Sequence, residues 1–181
     1  MQEPLTQAAR LADGLAHGAP LPELASLIPL GADEVLHARA EAAGWRFHGI
    51  DVLVEQRRPL VFVGPVTFGL AAAGSALGNR RARTDAARIA GPQWRPLGIM
   101  PVLATNQRIL VFHNGVWGSV WYSAIRQLIP RPAEGRLELF FEDDPPYLLV
   151  GEWVPYLTVV VTAVLAQVHG VHTVTTMLCT V

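Results

Sequence analysis

The most regular hydrophobic pattern in the chain runs from residue 100 to residue 151, where short apolar runs alternate with turn residues. Strands are predicted at 101–105 and 108–113, and Asn114-Gly115 then supplies the positive φ angles that a two-residue hairpin requires. Several short strands at intervals of roughly 8–12 residues predict an antiparallel sandwich or barrel. Four further strands of this series are predicted at 116–121, 125–129, 136–142 and 147–151.

Strand patterns also precede this series. Short strands are predicted at 35–39 and 60–63, and two more within 45–54 around a turn at Gly49 and Asp51. These segments would supply the first strands of the same domain.

Helices are predicted where apolar or alanine-rich runs are bounded by glycine or proline. Pro65 suits a first helical position, Gly91-Pro92 is a stop signal, and Gly170 occupies a helix C-cap position. The last helix would cover one end of the barrel. The predicted helices lie at 4–16, 22–27, 65–90 and 152–169.

The length of 181 residues fits one domain with appendages. We interpret residues 1–30 as an N-terminal helical appendage and residues 31–170 as the domain, with an inserted helix at about 65–90. Residues 171–181 are predicted to be an extended C-terminal tail.

Composition narrows the functional classes. The net charge of −1 gives no electrostatic reason to expect nucleic acid as a partner. All 14 basic residues are arginine, which fits a high-GC bacterial coding bias and excludes Schiff-base or P-loop lysine chemistry. The single cysteine, Cys179, cannot form a disulfide within the chain. The polar N-terminus does not resemble a secretory signal, so we expect a cytoplasmic protein.

Catalytic and cofactor motifs are missing from the sequence. No G-x-S-x-G, G-x-G-x-x-G or Walker pattern occurs, so we expect a protein that is not an enzyme and needs no cofactor. Two arrangements are weak metal candidates, His169-x-x-His172 and the carboxylates at 142–144. A helix-end histidine pair and a solvated turn before Pro145-Pro146 explain them better.

The run from Leu103 to Val111, LATNQRILV, resembles the hairpin "hydrophobic-x-Thr-[Asn/Asp]-x-Arg-[Leu/Ile]-hydrophobic" of the PH-like superfamily, including its GRAM and bacterial PH branches. Trp121 with Ile125, and residues 135–141, resemble later strands of that family. Residues 151–155 resemble its entry into the terminal helix.

This resemblance covers residues 98–169 and implies an α+β fold. The implied architecture is a small antiparallel PH/GRAM-like β-barrel capped by a C-terminal helix, with the N-terminal helical appendage and the inserted Ala-rich helix added to it. Such barrels serve lipid binding, peptide binding and purely structural roles, so the resemblance does not specify a function.

Within the motif, Thr105 and Asn106 flank a turn whose backbone their side chains can satisfy. Arg108, at the start of a strand, is expected to pair with a carboxylate across the sheet, and an anionic ligand is the alternative. We interpret these three residues as a structural motif. Trp117 and Trp121 are four apart on one strand, so both should face the same side.

The predicted 65–90 helix carries an arginine cluster, Arg80, Arg81, Arg83 and Arg88, that is a candidate for binding an anionic membrane surface. A solvated helix face is the alternative. The uncharged stretch 59–79 is about long enough to cross a bilayer, but its prolines and glycines favour a closely packed soluble helix.

The leading hypothesis is therefore a non-catalytic binding or scaffold module that contacts a protein partner. The alternative is a peripheral membrane adaptor that contacts anionic lipid through the arginine cluster. Homo-oligomerisation is also expected, because the Ala/Gly-rich helix and the apolar terminal helix need partners for their apolar faces.

Overall fold

Seven strands and two α-helices make up the part of the chain that the computed structural model describes, residues 2–49 and 91–170. The order along the chain is α1 (Gln2–Ala16), β1 (Leu36–His48), β2 (Gln93–Thr105), β3 (Arg108–His113), β4 (Val116–Trp121), β5 (Ile125–Arg131), β6 (Arg136–Phe141), β7 (Tyr147–Val150) and α2 (Val154–His169).

The chain divides into two units, residues 1–46 with 95–181 and residues 47–94. In the second unit the rings of Phe47 and Trp94 make an edge contact with their centroids 5.5 Å apart. The features below belong to the first unit.

The strands form one antiparallel sheet in the order β4-β3-β2-β1-β7-β6-β5. Asn114 and Gly115 join β3 to β4 with φ values of 51° and 81°, which confirms the predicted two-residue hairpin. Across this hairpin Arg108 lies opposite Trp121, and Phe112 lies opposite Trp117.

The two edge strands of the sheet, β4 and β5, are consecutive in the chain. A single 3₁₀ turn, Tyr122–Ala124, connects them. The sheet is open between β4 and β5 in the described residues, so an α+β fold with an antiparallel sheet is confirmed and a closed barrel is not established.

The main core is aliphatic and lies between one face of the sheet and α2. Val154, Leu157 and Leu165 of α2 are fully buried, and α2 packs on β5 and β6. Helix α1 packs on α2 and turns Leu11 and Leu15 towards the same core. The predicted terminal helix is therefore confirmed, and it packs on one face of the sheet; its predicted place at the end of a barrel stays a prediction.

A second, smaller apolar cluster lies on the opposite face of the sheet. Leu36, Leu103 and Leu110 form it, with Ile28 and Trp117 packed against them. Side chains alternate between faces along a strand, so Leu103 and Leu110 lie on the face away from the main core. Trp117 is half-buried here, while Trp121 on the same face is exposed.

The predicted helix at 22–27 is wrong. The backbone there is extended: the N–H of Leu24 donates to the carbonyl of Leu36 over 2.7 Å, and His37 contacts the carbonyl of Pro22 at 2.7 Å. The segment's hydrogen bonds go to β1 instead of along a helix, and flanking prolines oppose helical continuation. The predicted helix at 4–16 is confirmed by α1.

Two strand predictions also need correction. β1 is one continuous 13-residue strand, so no separate strand begins at residue 45. β2 begins at Gln93, eight residues before the predicted start at residue 101, because Pro96 and Gly98 do not interrupt it. The remaining strand predictions from residue 108 onward are confirmed within two residues of their ends.

Several predictions lie outside the described residues: the strand at 60–63, the second half of the segment 45–54, the inserted helix at about 65–90 and the tail at 171–181. Among the helices that the structure describes, none is both long enough and apolar enough to cross a membrane.

Two glycines allow β7 and its neighbours to approach closely. The N–H of Gly151 donates to the carbonyl of Gly135 over 2.9 Å, and Gly135 has a φ of 62°. A Cβ on Gly151 would lie 2.8 Å from the carbonyl oxygen of Glu41, a contact with backbone that cannot rotate away. Glycine is therefore required where β7 leads into α2.

We expect Gly151→Ala to destabilise the protein by about 1–3 kcal/mol, because the added methyl group forces the backbone apart. Chemical denaturation followed by tryptophan fluorescence measures this. Gly118→Ala is the matched control, because its Cβ would meet only ordinary contacts, 3.5 Å from Val111. Equal stability of the two variants would contradict the steric account.

Candidate functional site

Thr105 organises the turn between β2 and β3. Its hydroxyl oxygen accepts the backbone N–H groups of Gln107 and Arg108, each over 3.1 Å. Its hydrogen has two acceptors within reach, Glu34 Oε1 at 2.8 Å and the carbonyl of Arg108 at 3.0 Å. The side chain thus replaces backbone partners within the turn, as the sequence predicts.

Arg108 forms a bidentate ion pair with Glu34. Its Nε and Nη2 donate to Oε1 and Oε2 of that carboxylate, both over 2.8 Å. The third nitrogen, Nη1, donates to Ser119 Oγ over 2.9 Å, and the guanidinium lies 4.8 Å from the ring centroid of Trp121. Every nitrogen of this side chain therefore has a partner inside the protein.

Asn106 joins the same turn to the segment that enters β1. Its Oδ1 accepts the N–H of Val35 over 2.9 Å, and its Nδ2 donates to the carbonyl of Asp33 over 2.9 Å. Its backbone N–H donates to the carbonyl of Val35 over 3.0 Å. We call Glu34, Thr105, Asn106 and Arg108 the turn cluster.

The two charges of the turn cluster differ in exposure. The side chain of Glu34 is 1% exposed and that of Arg108 is 20% exposed. The hydrogen bond from Arg108 is the main reason that the pKa of Glu34 falls to about 2; burial opposes this shift, and the Gly31 N–H and Thr105 support it. In turn, Glu34 raises the pKa of Arg108.

Tyr122 lies beneath the turn cluster. Its hydroxyl donates to the carbonyl of Thr105 over 2.9 Å, and burial, with a smaller effect of the Glu34 charge, raises its pKa far above the ordinary value. The phenol therefore stays neutral and serves as a hydrogen-bond donor.

The structure brings the three residues of the predicted motif, Thr105, Asn106 and Arg108, together at one site. The carboxylate that pairs with Arg108 was expected on a neighbouring strand. It is instead that of Glu34, which lies in the segment before β1. Sequence reasoning did not identify Glu34, because 74 residues separate it from Arg108 and no local motif includes it. The four arginines of the predicted anionic-surface site lie outside the described residues.

The carboxylates at 142–144 lie in the turn between β6 and β7, as predicted. Arg126 pairs with Glu142 at 2.6 Å, and Arg46 pairs with Asp144 at 3.2 Å. Within residues 2–49 and 91–170, no three His, Cys, Asp or Glu side chains are placed to hold a metal ion.

Comparisons with protein-family models, with curated proteins and with solved structures find no match to this chain.

A shallow cleft of about 230 Å³ lies where α1 meets the start of α2. Its walls are mostly apolar, with Leu5, Val150 and Pro155 among them, and the carboxylates of Glu134 and Glu152 lie at its lining. No nucleophile or histidine lines it, so the cleft itself offers little beyond apolar contact and two negative charges.

Of the two edge strands of the described sheet, β4 is the one that exposes large apolar side chains. Val116 is 65% exposed and Trp121 is 46% exposed, and the strand VWGSVW carries no charged residue. No described strand pairs with its outer side. An uncharged edge strand with exposed apolar side chains is a surface on which another extended chain can pair.

Arg108→Leu is expected to destabilise the protein by about 2–4 kcal/mol, because Glu34 would stay buried without its cation. Denaturant melts of this variant, of Glu34→Leu and of the double variant measure the interaction free energy between Glu34 and Arg108. Arg126→Leu is the matched control: its partner Glu142 is 66% exposed, so the cost should be below about 1 kcal/mol. Additive effects at Glu34 and Arg108 would contradict the pairing.

The Glu34 pair also makes stability depend on pH. The folded-state pKa of about 2 is lower than the ordinary value of 4.5, so the stabilisation is fully present above pH 4.5 and is lost as the pH falls towards 2. Wild-type stability should therefore fall more steeply than that of Glu34→Gln over this interval. Denaturant melts at each pH give the free energy of unfolding of both proteins. If the two plots of this free energy against pH run parallel, the contribution of Glu34 is excluded.

Proposed function

We propose that the chain is a non-catalytic binding or scaffold module with a PH/GRAM-like barrel, which binds another protein by strand addition at β4. The open, uncharged edge of β4, with Val116 and Trp121 exposed, is the observation that carries this proposal.

The connection between the edge strands supports the barrel. In a flat sheet of seven strands, β4 and β5 would lie about 29 Å apart. The link from Trp121 to Ile125 spans about 15 Å at most. This short link favours a sheet that curls so that its two edges approach each other at this corner, which supports the proposed barrel. A single helix at the C-terminal end of the strand series, α2, fits the same architecture.

The turn cluster supports a structural role for the family-like hairpin. The guanidinium of Arg108 uses all three nitrogens on Glu34 and Ser119, and both carboxylate oxygens of Glu34 accept hydrogen bonds. An anionic ligand would have to displace Glu34 from the arginine and leave a buried carboxylate unpaired, which is costly. The pair is better suited to fixing the entry of β1 than to binding a ligand.

Strand addition at β4 would use its outward backbone groups for affinity and its side chains for selectivity. Unpaired backbone N–H and C=O groups on an edge bind any extended chain, and side-chain pockets then select among partners. Here the selecting groups are apolar and aromatic: Val116, Trp117 and Trp121. We infer that the partner presents an extended segment rich in apolar or aromatic side chains.

A peripheral membrane role is the competing function. It depends on the sequence positions of Arg80, Arg81, Arg83 and Arg88, which would contact anionic lipid headgroups. Protein binding at β4 and lipid binding through these arginines differ in their dependence on salt, since only the second is screened strongly.

Panning a phage-displayed library of random short peptides on the immobilised protein tests the proposal. Selected peptides should be rich in apolar and aromatic residues. Their affinity should fall at least about tenfold in Val116→Lys, because a lysine on an edge strand opposes further pairing. Ala12→Lys, on the exposed side of α1, is the charge-matched control and should bind normally.

Co-sedimentation with phosphatidylcholine vesicles, with and without phosphatidylserine, across a salt series decides the alternative. Two results together would overturn the protein-binding proposal. The panning would select no peptides, and the protein would bind anionic vesicles in a salt-sensitive way that is lost when Arg80, Arg81 and Arg83 are replaced with alanine.

A further inference from the structure

The two edges of the sheet are protected very differently. β5 carries Arg126 and Arg131, lacks an N–H at Pro130, and has a register shift between Ile125 and Gln127. Charges, proline and bulges are the features by which edge strands avoid pairing with other chains. β4 has none of these, so among residues 2–49 and 91–170 it is the edge strand that is open to another strand.

We propose that the partner of β4 is the β4 strand of a second copy of this chain, paired antiparallel across a two-fold axis at Ser119. This rests on the proposed function and names the occupant of the same edge. A strand that pairs with itself places like residues close together, so any charge on it would be opposed by its own copy. The uncharged sequence of β4 meets that requirement.

The two-fold axis restricts the possible registers. In an antiparallel pair related by a two-fold axis normal to the sheet, one residue must lie opposite its own copy. With Ser119 at the axis, Trp117 lies opposite the second copy's Trp121. By symmetry, Trp121 lies opposite the second copy's Trp117. The side chains of Trp117, Ser119 and Trp121 share one face of β4, so the contacts lie on one side of the joint sheet.

Neighbouring registers use the tryptophans less well. With Gly118 at the axis, Trp117 would lie opposite Ser119 and no side chain would fill the centre. With Val120 at the axis, Trp121 would lie opposite Ser119. Of these three registers, that of Ser119 is the one that places the two indole rings opposite each other, which favours cross-strand contact.

Ser119 itself suits a position on the axis. Its oxygen accepts a hydrogen bond from Arg108 over 2.9 Å, so its own hydroxyl hydrogen can be donated to the Ser119 oxygen of the second copy. Arg108 also lies over Trp121 at 4.8 Å and holds that ring in place before pairing. The turn cluster thus prepares the surface that the second copy contacts.

An engineered cysteine tests the register directly. In a Cys179→Ser background, Ser119→Cys places two thiols opposite each other, at a Cα separation of about 4.5–5.5 Å that a disulfide can span. Val116→Cys is the matched control on the same strand. In the proposed register the two copies of residue 116 lie about 20 Å apart, too far for a disulfide.

We expect a dimer mass by light scattering for the wild type, rapid disulfide formation for Ser119→Cys under mild oxidation, and little for Val116→Cys. Ser119→Lys should be monomeric, because two like charges would lie opposite each other at the axis, and circular dichroism should show that it stays folded. If Ser119→Lys fails to fold, the two cysteine variants decide the matter alone.

A wild type that is monomeric up to millimolar concentration overturns the inference, and so does equal cross-linking at 116 and 119. If such a monomer still binds displayed peptides through β4, only self-pairing fails and the proposed protein-binding function stands. If the β4 dimer forms and no other peptide binds, the inference stands and the function reduces to self-association.

Discussion

A buried carboxylate requires a positive partner, and Glu34 finds one in Arg108 at the start of β3. The pair fastens the segment before β1 to the β2–β3 turn. Thr105 and Asn106 complete the same junction through hydrogen bonds to backbone and side-chain atoms on both sides. The first strand of the sheet is therefore positioned by a polar junction, while α2 and the aliphatic core hold the opposite face.

The same arginine connects the core of the fold to its surface. Arg108 uses two nitrogens on Glu34, directs the third towards Ser119 on β4, and supports the ring of Trp121. Strand β4 is thus held by β3 and Arg108 on one side, while no strand of the described residues pairs with its other side. β5, the other edge, carries two arginines and a proline. This asymmetry is the basis on which we propose partner binding at β4.

The strand series from residue 108 onward and the terminal helix were predictable because their signals are local: Asn114-Gly115 for the hairpin, apolar alternation for the strands and Gly170 for the helix end. The turn role of Thr105 was predictable for the same reason. Glu34 was not, since its partner lies 74 residues away. The helix expected at 22–27 failed because its backbone pairs with β1, a tertiary contact that local propensity does not encode. The openness of β4 depends on strand order, which the sequence pattern alone does not determine.

Hydrogen–deuterium exchange of the whole protein at increasing concentration tests most directly whether β4 is the binding edge. Amides that point outward from an unpaired edge exchange quickly and become protected when a strand is added. We predict that peptides covering Val116–Trp121 gain protection as the concentration rises, while those covering Ile125–Arg131 do not change. Protection that is constant along β4, or that grows on β5 instead, would contradict the account.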